Sequence, residues 1–109
     1  IHNNCSGKHS GFLTLTKHLG AGANYVSSDH PVQKACLEAY EMTTNEISPG
    51  FGIDGCSAPN HAFTLKGIAK AMAWFADANS RSDISSKSAV RIIDAMLRYP
   101  ELVAGERRA

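Results

Sequence analysis

Between Ile47 and Asn60 the chain reads Ile-Ser-Pro-Gly-Phe-Gly-Ile-Asp-Gly-Cys-Ser-Ala-Pro-Asn, and this stretch restricts the fold more than any other. A helix cannot pass through it, because each proline removes a backbone donor and each glycine raises the entropy cost of ordering. Phe51 and Ile53 alternate as a short strand would, and the glycine and prolines around Cys56 suit a tight loop. The chain is therefore split, with one or more helices on each side of an extended, loop-bearing middle.

Apolar spacing fills in those sides. Phe12, Leu15 and Leu19 recur at helical intervals and Gly20, Gly22 and Asn24 follow, which predicts a helix from about Ser6 to His18. Asp29 as N-cap and Pro31 in the first turn open a second helix running to about Thr44. Its buried stripe is expected to be Val32, Ala35, Cys36, Ala39, Tyr40 and Thr43, with Gln33, Lys34, Glu38 and Glu41 mostly outside. Leu65, Ile68, Ala69, Met72, Ala73, Phe75 and Ala76 mark the clearest helix, Thr64 to Asn79. A polar turn over Asn79–Asp83 leads to a fourth helix, Ser86 to Arg98, which Pro100 ends or kinks. Val103 to Ala109 offers no core. The fold class expected from the residues is mainly α with a short strand.

A length of 109 residues fits one domain, residues 1–109, and 43% hydrophobic with 19% charged residues is ordinary for a globular protein. The formal charge of +1, carried by scattered residues, supplies no basic field, so nucleic acid is not an expected partner. No apolar run approaches the roughly 20 residues of a membrane span, and no signal segment opens the chain, so no membrane partner is expected and the default compartment is the cytoplasm. Three cysteines at wide spacing fit a metal or reactive-thiol site better than a disulfide framework. A chain that starts at Ile1, two residues before a dense motif, reads as a piece of something longer.

That motif is Asn3-Asn4-Cys5-Ser6-Gly7-Lys8-His9. On a helix, Cys5, Lys8 and His9 stand at i, i+3 and i+4 and share one face. Cys56 lies in Asp54-Gly55-Cys56-Ser57-Ala58-Pro59-Asn60, and the two stretches are read as halves of one site. Both thiols sit among polar residues and turn formers, where packing gives little reason for a cysteine. Cys36, between Ala35 and Leu37 on an apolar face, is left as core. By ligand preference alone, zinc would take Cys5, His9 and Cys56. His2, His18, His30 and His61 are assigned to the surface, with His18 favoured near a helix C-terminus. Thr14 and Lys17 have the spacing of a hydroxyl–lysine pair, but Thr14 falls within a helix pattern.

Four blocks together resemble the asparaginase II family, the L-asparaginases of the Rhizobium etli type. They are Asn3-Asn4-Cys5-Ser6-Gly7-Lys8-His9-Ser10-Gly11, Asp29-His30-Pro31-Val32-Gln33, Ile53-Asp54-Gly55-Cys56-Ser57-Ala58-Pro59, and Pro100-Glu101-Leu102-Val103-Ala104-Gly105. They occur in the family's order and span nearly the whole chain. The resemblance implies that the chain is part of a serine β-lactamase/glutaminase-like α+β fold, the central part of a longer polypeptide whose Ser-x-x-Lys nucleophile motif lies upstream of Asn3. It implies hydrolysis of L-asparagine to L-aspartate and ammonia, and a homodimer of the full-length chain.

The resemblance also implies zinc as cofactor, held by Cys5, Lys8 and Cys56, with His9 facing the substrate and Asp54 orienting a ligand, a water or the amino group of asparagine. Lysine can bind a metal only through its free amine, so such a site must strip a proton from a group whose unperturbed pKa is about 10.4. No Ser-x-x-Lys occurs within the 109 residues, so no catalytic nucleophile is assigned here and the isolated chain is expected to be inactive. Two readings from other classes remain: a zinc-stabilised structural or binding module whose metal is closed by four protein ligands, and a redox-active pair formed by Cys5 and Cys56.

Overall fold

The computed structural model describes residues 4–106. The expectations for His2 and Asn3 and for the end of the chain at residues 107–109 lie outside the described residues. The element order is α1 (Ser6–Leu19), α2 (Pro31–Thr44), β1 (Phe51–Ile53), β2 (Pro59–His61), α3 (Leu65–Ala76), a 3₁₀ turn (Ala78–Ser80), α4 (Ile84–Arg98) and α5 (Pro100–Ala104). The architecture is mainly helical with one small sheet, the class expected from the sequence.

The first helix forms where its periodicity places it and buries Phe12 and Thr16. Gly20, at φ 61°, takes the left-handed turn that stops it, a conformation that costs glycine little. At the start of α2 the N-cap is His30 and not Asp29: its Nδ1 accepts the Val32 backbone N–H at 3.2 Å, and its Nε2 reaches the Gly22 carbonyl at 2.9 Å. Both bonds are satisfied when the ring is neutral with its proton on Nε2. Asp29 instead accepts from Ser27 Oγ at 2.5 Å.

Gln33 also departs from the expected pattern. It is 1% exposed and donates to the Tyr25 carbonyl at 2.7 Å. Helical periodicity had placed it outside, but the loop before α2 folds over that face and supplies the acceptor that a buried amide needs. Ala39 and Tyr40, expected inside, are exposed.

The Gly/Pro-rich middle forms an antiparallel pair, Phe51 opposite His61 and Ile53 opposite Pro59. The loop between the strands closes on itself. Asp54 N donates to Ala58 O and Ser57 N to Asp54 O, both at 2.9 Å, while Ser57 adopts φ 70°. Phe12, Val32 and Ala58 make a small core, with Leu15, Tyr25, Cys36 and Cys56 packed against it. The hairpin loop is thus seated on α1 and α2.

On the far side, Glu46 ties the loop after α2 to α3. Its carboxylate accepts from Thr64 Oγ1 at 2.6 Å and from Thr64 N at 3.1 Å, while Thr64 Oγ1 caps Gly67 N. α4 begins at Ile84, two residues before the expected Ser86, because Asp83 provides the N-cap. Arg81 holds the turn before it, bonding Trp74 O, Asp77 and Ser86 while its guanidinium lies 4.8 Å from the Trp74 ring centroid. Pro100 ends α4 and starts α5, occupying the first-turn position that proline tolerates.

Candidate metal centre

Two elements build the site. Cys5 is the residue before the first turn of α1, and its carbonyl accepts the His9 N–H at 3.0 Å, which fixes Cys5, Lys8 and His9 on one face. The hairpin loop brings Asp54 and Cys56 over that face. Lys8 Nζ donates to Asp54 Oδ2 at 2.6 Å. The same oxygen lies 3.9 Å from Cys5 Sγ and 3.8 Å from Cys56 Sγ, and the metal-binding atoms of Cys5, Asp54 and Cys56 are all within 4.8 Å of one another. Asp54 is held in turn by the loop, since its Oδ1 accepts the Gly55 N–H at 2.8 Å.

His9 is fixed by a chain of contacts absent from the sequence motif. Its Nδ1 is 2.9 Å from the Tyr25 hydroxyl, and its ring packs edge-on against Phe12 and Tyr25 at centroid distances of 5.8 and 5.6 Å. Gln33 holds the Tyr25 backbone, so α2 positions His9 through the intervening loop. The His9 Nε2 is buried and makes no hydrogen bond of ordinary geometry among the described residues. The ring is nevertheless close enough to be the chief influence lowering the Cys56 thiol.

The charges are arranged unevenly. Cys56 is drawn down to about 7, by His9 first and then by the Ala58 backbone, so a substantial fraction is thiolate near neutrality. Cys5 moves the other way, raised mainly by its hydrogen bond to Cys56 and then by desolvation. Asp54 is lowered by the Lys8 ammonium and the Gly55 N–H, and Lys8 is raised mainly by Asp54. Amine and carboxylate neutralise each other across their 2.6 Å contact.

The donor set fits a dication. Zinc–sulfur bonds of about 2.3 Å and zinc–oxygen bonds of about 2.0–2.2 Å place neighbouring tetrahedral ligand atoms roughly 3.4–3.8 Å apart. The two sulfur–carboxylate distances, 3.9 and 3.8 Å, are close to that spacing. The metal-binding atoms of Cys5, Asp54 and Cys56 are therefore close enough together to share one ion, and the Lys8 amine stands beside them, 2.6 Å from Asp54 Oδ2. All five residues singled out from the sequence, Cys5, Lys8, His9, Asp54 and Cys56, meet here. Tyr25 and Gln33 were missed, because a tyrosine in a polar loop and a glutamine in a helix carry no signal until the loop folds across.

These features define a chain that presents a compact thiol–amine–carboxylate cluster on a helical scaffold. A family model described as L-asparaginase II matches residues 1–109, the whole chain, and the chain belongs to that family. No curated protein matches it. Family membership supports an asparaginase-type function; amidohydrolase activity is that of the family.

Proposed function

We propose that the chain is the zinc-bearing portion of an L-asparaginase that hydrolyses L-asparagine to L-aspartate and ammonia. The observation that carries this reading is the convergence of Cys5, Lys8, Asp54 and Cys56 from residues 46 to 51 positions apart in sequence, in a chain of this family. Cys5, Lys8 and Cys56 are the proposed zinc ligands. The fourth position stays open to water or substrate, which separates this reading from a structural module closed by four protein ligands. When bound, zinc would supply a fixed positive charge that orients and polarises a polar group.

The chain's own residues do the rest. Asp54 would hold the amine in place and carry negative charge that compensates the ion. Withdrawal of the Lys8 proton is the costly step, because the Asp54 partnership favours the ammonium. The positive charge of a bound ion, together with desolvation, would disfavour the ammonium form and so offset that cost. His9, anchored by Tyr25 and close to Cys56, is the residue that would accept or donate a hydrogen bond to the substrate.

The acyl-forming serine is supplied by residues outside these 109, in the longer chain, working as a cytoplasmic homodimer. The experiment is twofold. Zinc added to the purified chain should bind in one equivalent and be lost in a Cys5→Ala/Cys56→Ala double variant. Ammonia release from asparagine by the chain alone should remain at background. Turnover by the chain alone, or zinc binding unaffected by loss of both cysteines, would overturn the reading.

A further inference from the structure

Cys5 and Cys56 are both reduced, both partly exposed, and carry sulfurs within 4.8 Å of each other. A disulfide needs the sulfurs at about 2.05 Å, so they must close by less than roughly 3 Å. Cys5 precedes the first turn of a helix, and Cys56 lies in a hairpin loop between Gly55 and Ser57. Cys36, on α2, lies outside the cluster and serves as an internal comparison.

We propose that Cys5 and Cys56 form a peroxide-reactive dithiol whose oxidation to a disulfide makes metal loading of this site redox-dependent. One sulfur, as thiolate, attacks the peroxide O–O bond, forming a sulfenic acid and releasing hydroxide or alkoxide. The second sulfur then displaces the sulfenic oxygen, forming the S–S bond and releasing water. Two thiols lose two protons and two electrons, and the peroxide is reduced to water or to water and alcohol. The product has no thiolate left to offer a cation. The disulfide step rests on sulfur proximity alone, whereas its effect on metal loading rests on the zinc reading above.

The test uses hydrogen peroxide on the full chain, once after chelation and once loaded with zinc. In the chelated chain the titratable thiols should fall from three to one, the intact mass should drop by about 2 Da, and peptide mapping should link Cys5 to Cys56. In the loaded chain the same link should form more slowly, with zinc appearing in solution as it does. Cys5→Ser should divert Cys56 to sulfenic and sulfinic acid, seen as a mass gain. Formation of the link without any protection by zinc would count against the metal coupling and the zinc reading together, and leave the dithiol standing. A mass gain in the unsubstituted chain without a Cys5–Cys56 peptide, or a disulfide that includes Cys36, would overturn the proposal.

Discussion

Lys8 and Asp54 sit where two demands meet, since the same carboxylate that pairs the amine also faces both sulfurs. Asp54 is lowered and Lys8 raised by their contact. The sign of each follows directly. A lowered carboxylate contributes stability above its unfolded pKa, which is lost as pH falls through its folded value. A raised amine contributes stability below its unfolded pKa, which is lost as pH rises through its folded value. The pair therefore supports the fold fully between the unfolded carboxylate and amine values, about pH 4 to about 10, and fails at both extremes. Both side chains are about a third exposed, so the contribution is small. Asp54→Asn should lower the melting temperature most near neutral pH and flatten its fall in acid, because no carboxylate is left to protonate; a melting temperature against pH unchanged from the unsubstituted chain would contradict a role for the pair. With zinc the same substitution acts on an oriented ligand, and should weaken affinity about 10–100-fold in calorimetric titration. Lys8→Met separates two ligand sets. If the amine binds the ion, affinity collapses; if the carboxylate replaces it, the loss is slight.

At the scale of elements, the site depends on how firmly the hairpin loop and α1 are held. Gln33 is the buried link between α2 and the Tyr25 loop, and its loss would leave the Tyr25 carbonyl without its donor. Gln33→Ala should destabilise the chain by about 1–3 kcal/mol in urea unfolding, and should also loosen His9. A cost no larger than that of an exposed substitution would contradict the link. Thr64→Ala should cost about 1 kcal/mol through loss of the α3 cap. The helices were largely legible in the sequence because apolar spacing, Gly20, Pro31 and Thr64 are local signals, whereas the Asp83 cap, placed in a polar turn, left the start of α4 two residues late. The partner strand of β1 was not, since Pro59, Asn60 and His61 lack an alternating pattern and pair only because the loop turns back on itself. The cluster was legible from Cys5, Lys8, His9, Asp54 and Cys56, but its supports were not. Gln33 and Tyr25 acquire their roles only through contacts between segments that are distant from the motif.

Over the whole molecule, the accessible surface is 7982 Å², against about 5,900 Å² for a compact monomer of this length. Leu65, Ile68 and Met72 on α3 and Ile92, Met96 and Leu97 on α4 lie exposed. Among the described residues the fully buried hydrophobics are few and mostly alanines, so burial supplies limited stability. A dication bound at the proposed site would then matter to the fold as well as to the site. Zinc at about 100 times its dissociation constant should add about 2.7 kcal/mol, seen as a rise in melting temperature that a chelator reverses. Among the described residues no helix is long and apolar enough to cross a membrane, so the exposed apolar faces are too short to read as spans. The most direct measurement is X-ray absorption at the zinc edge of the chain loaded with one equivalent. The account predicts two sulfur scatterers at about 2.3 Å and two lighter atoms at about 2.0–2.2 Å, one exchangeable. Zinc that is not retained, or a shell of fewer than two sulfurs, would contradict it.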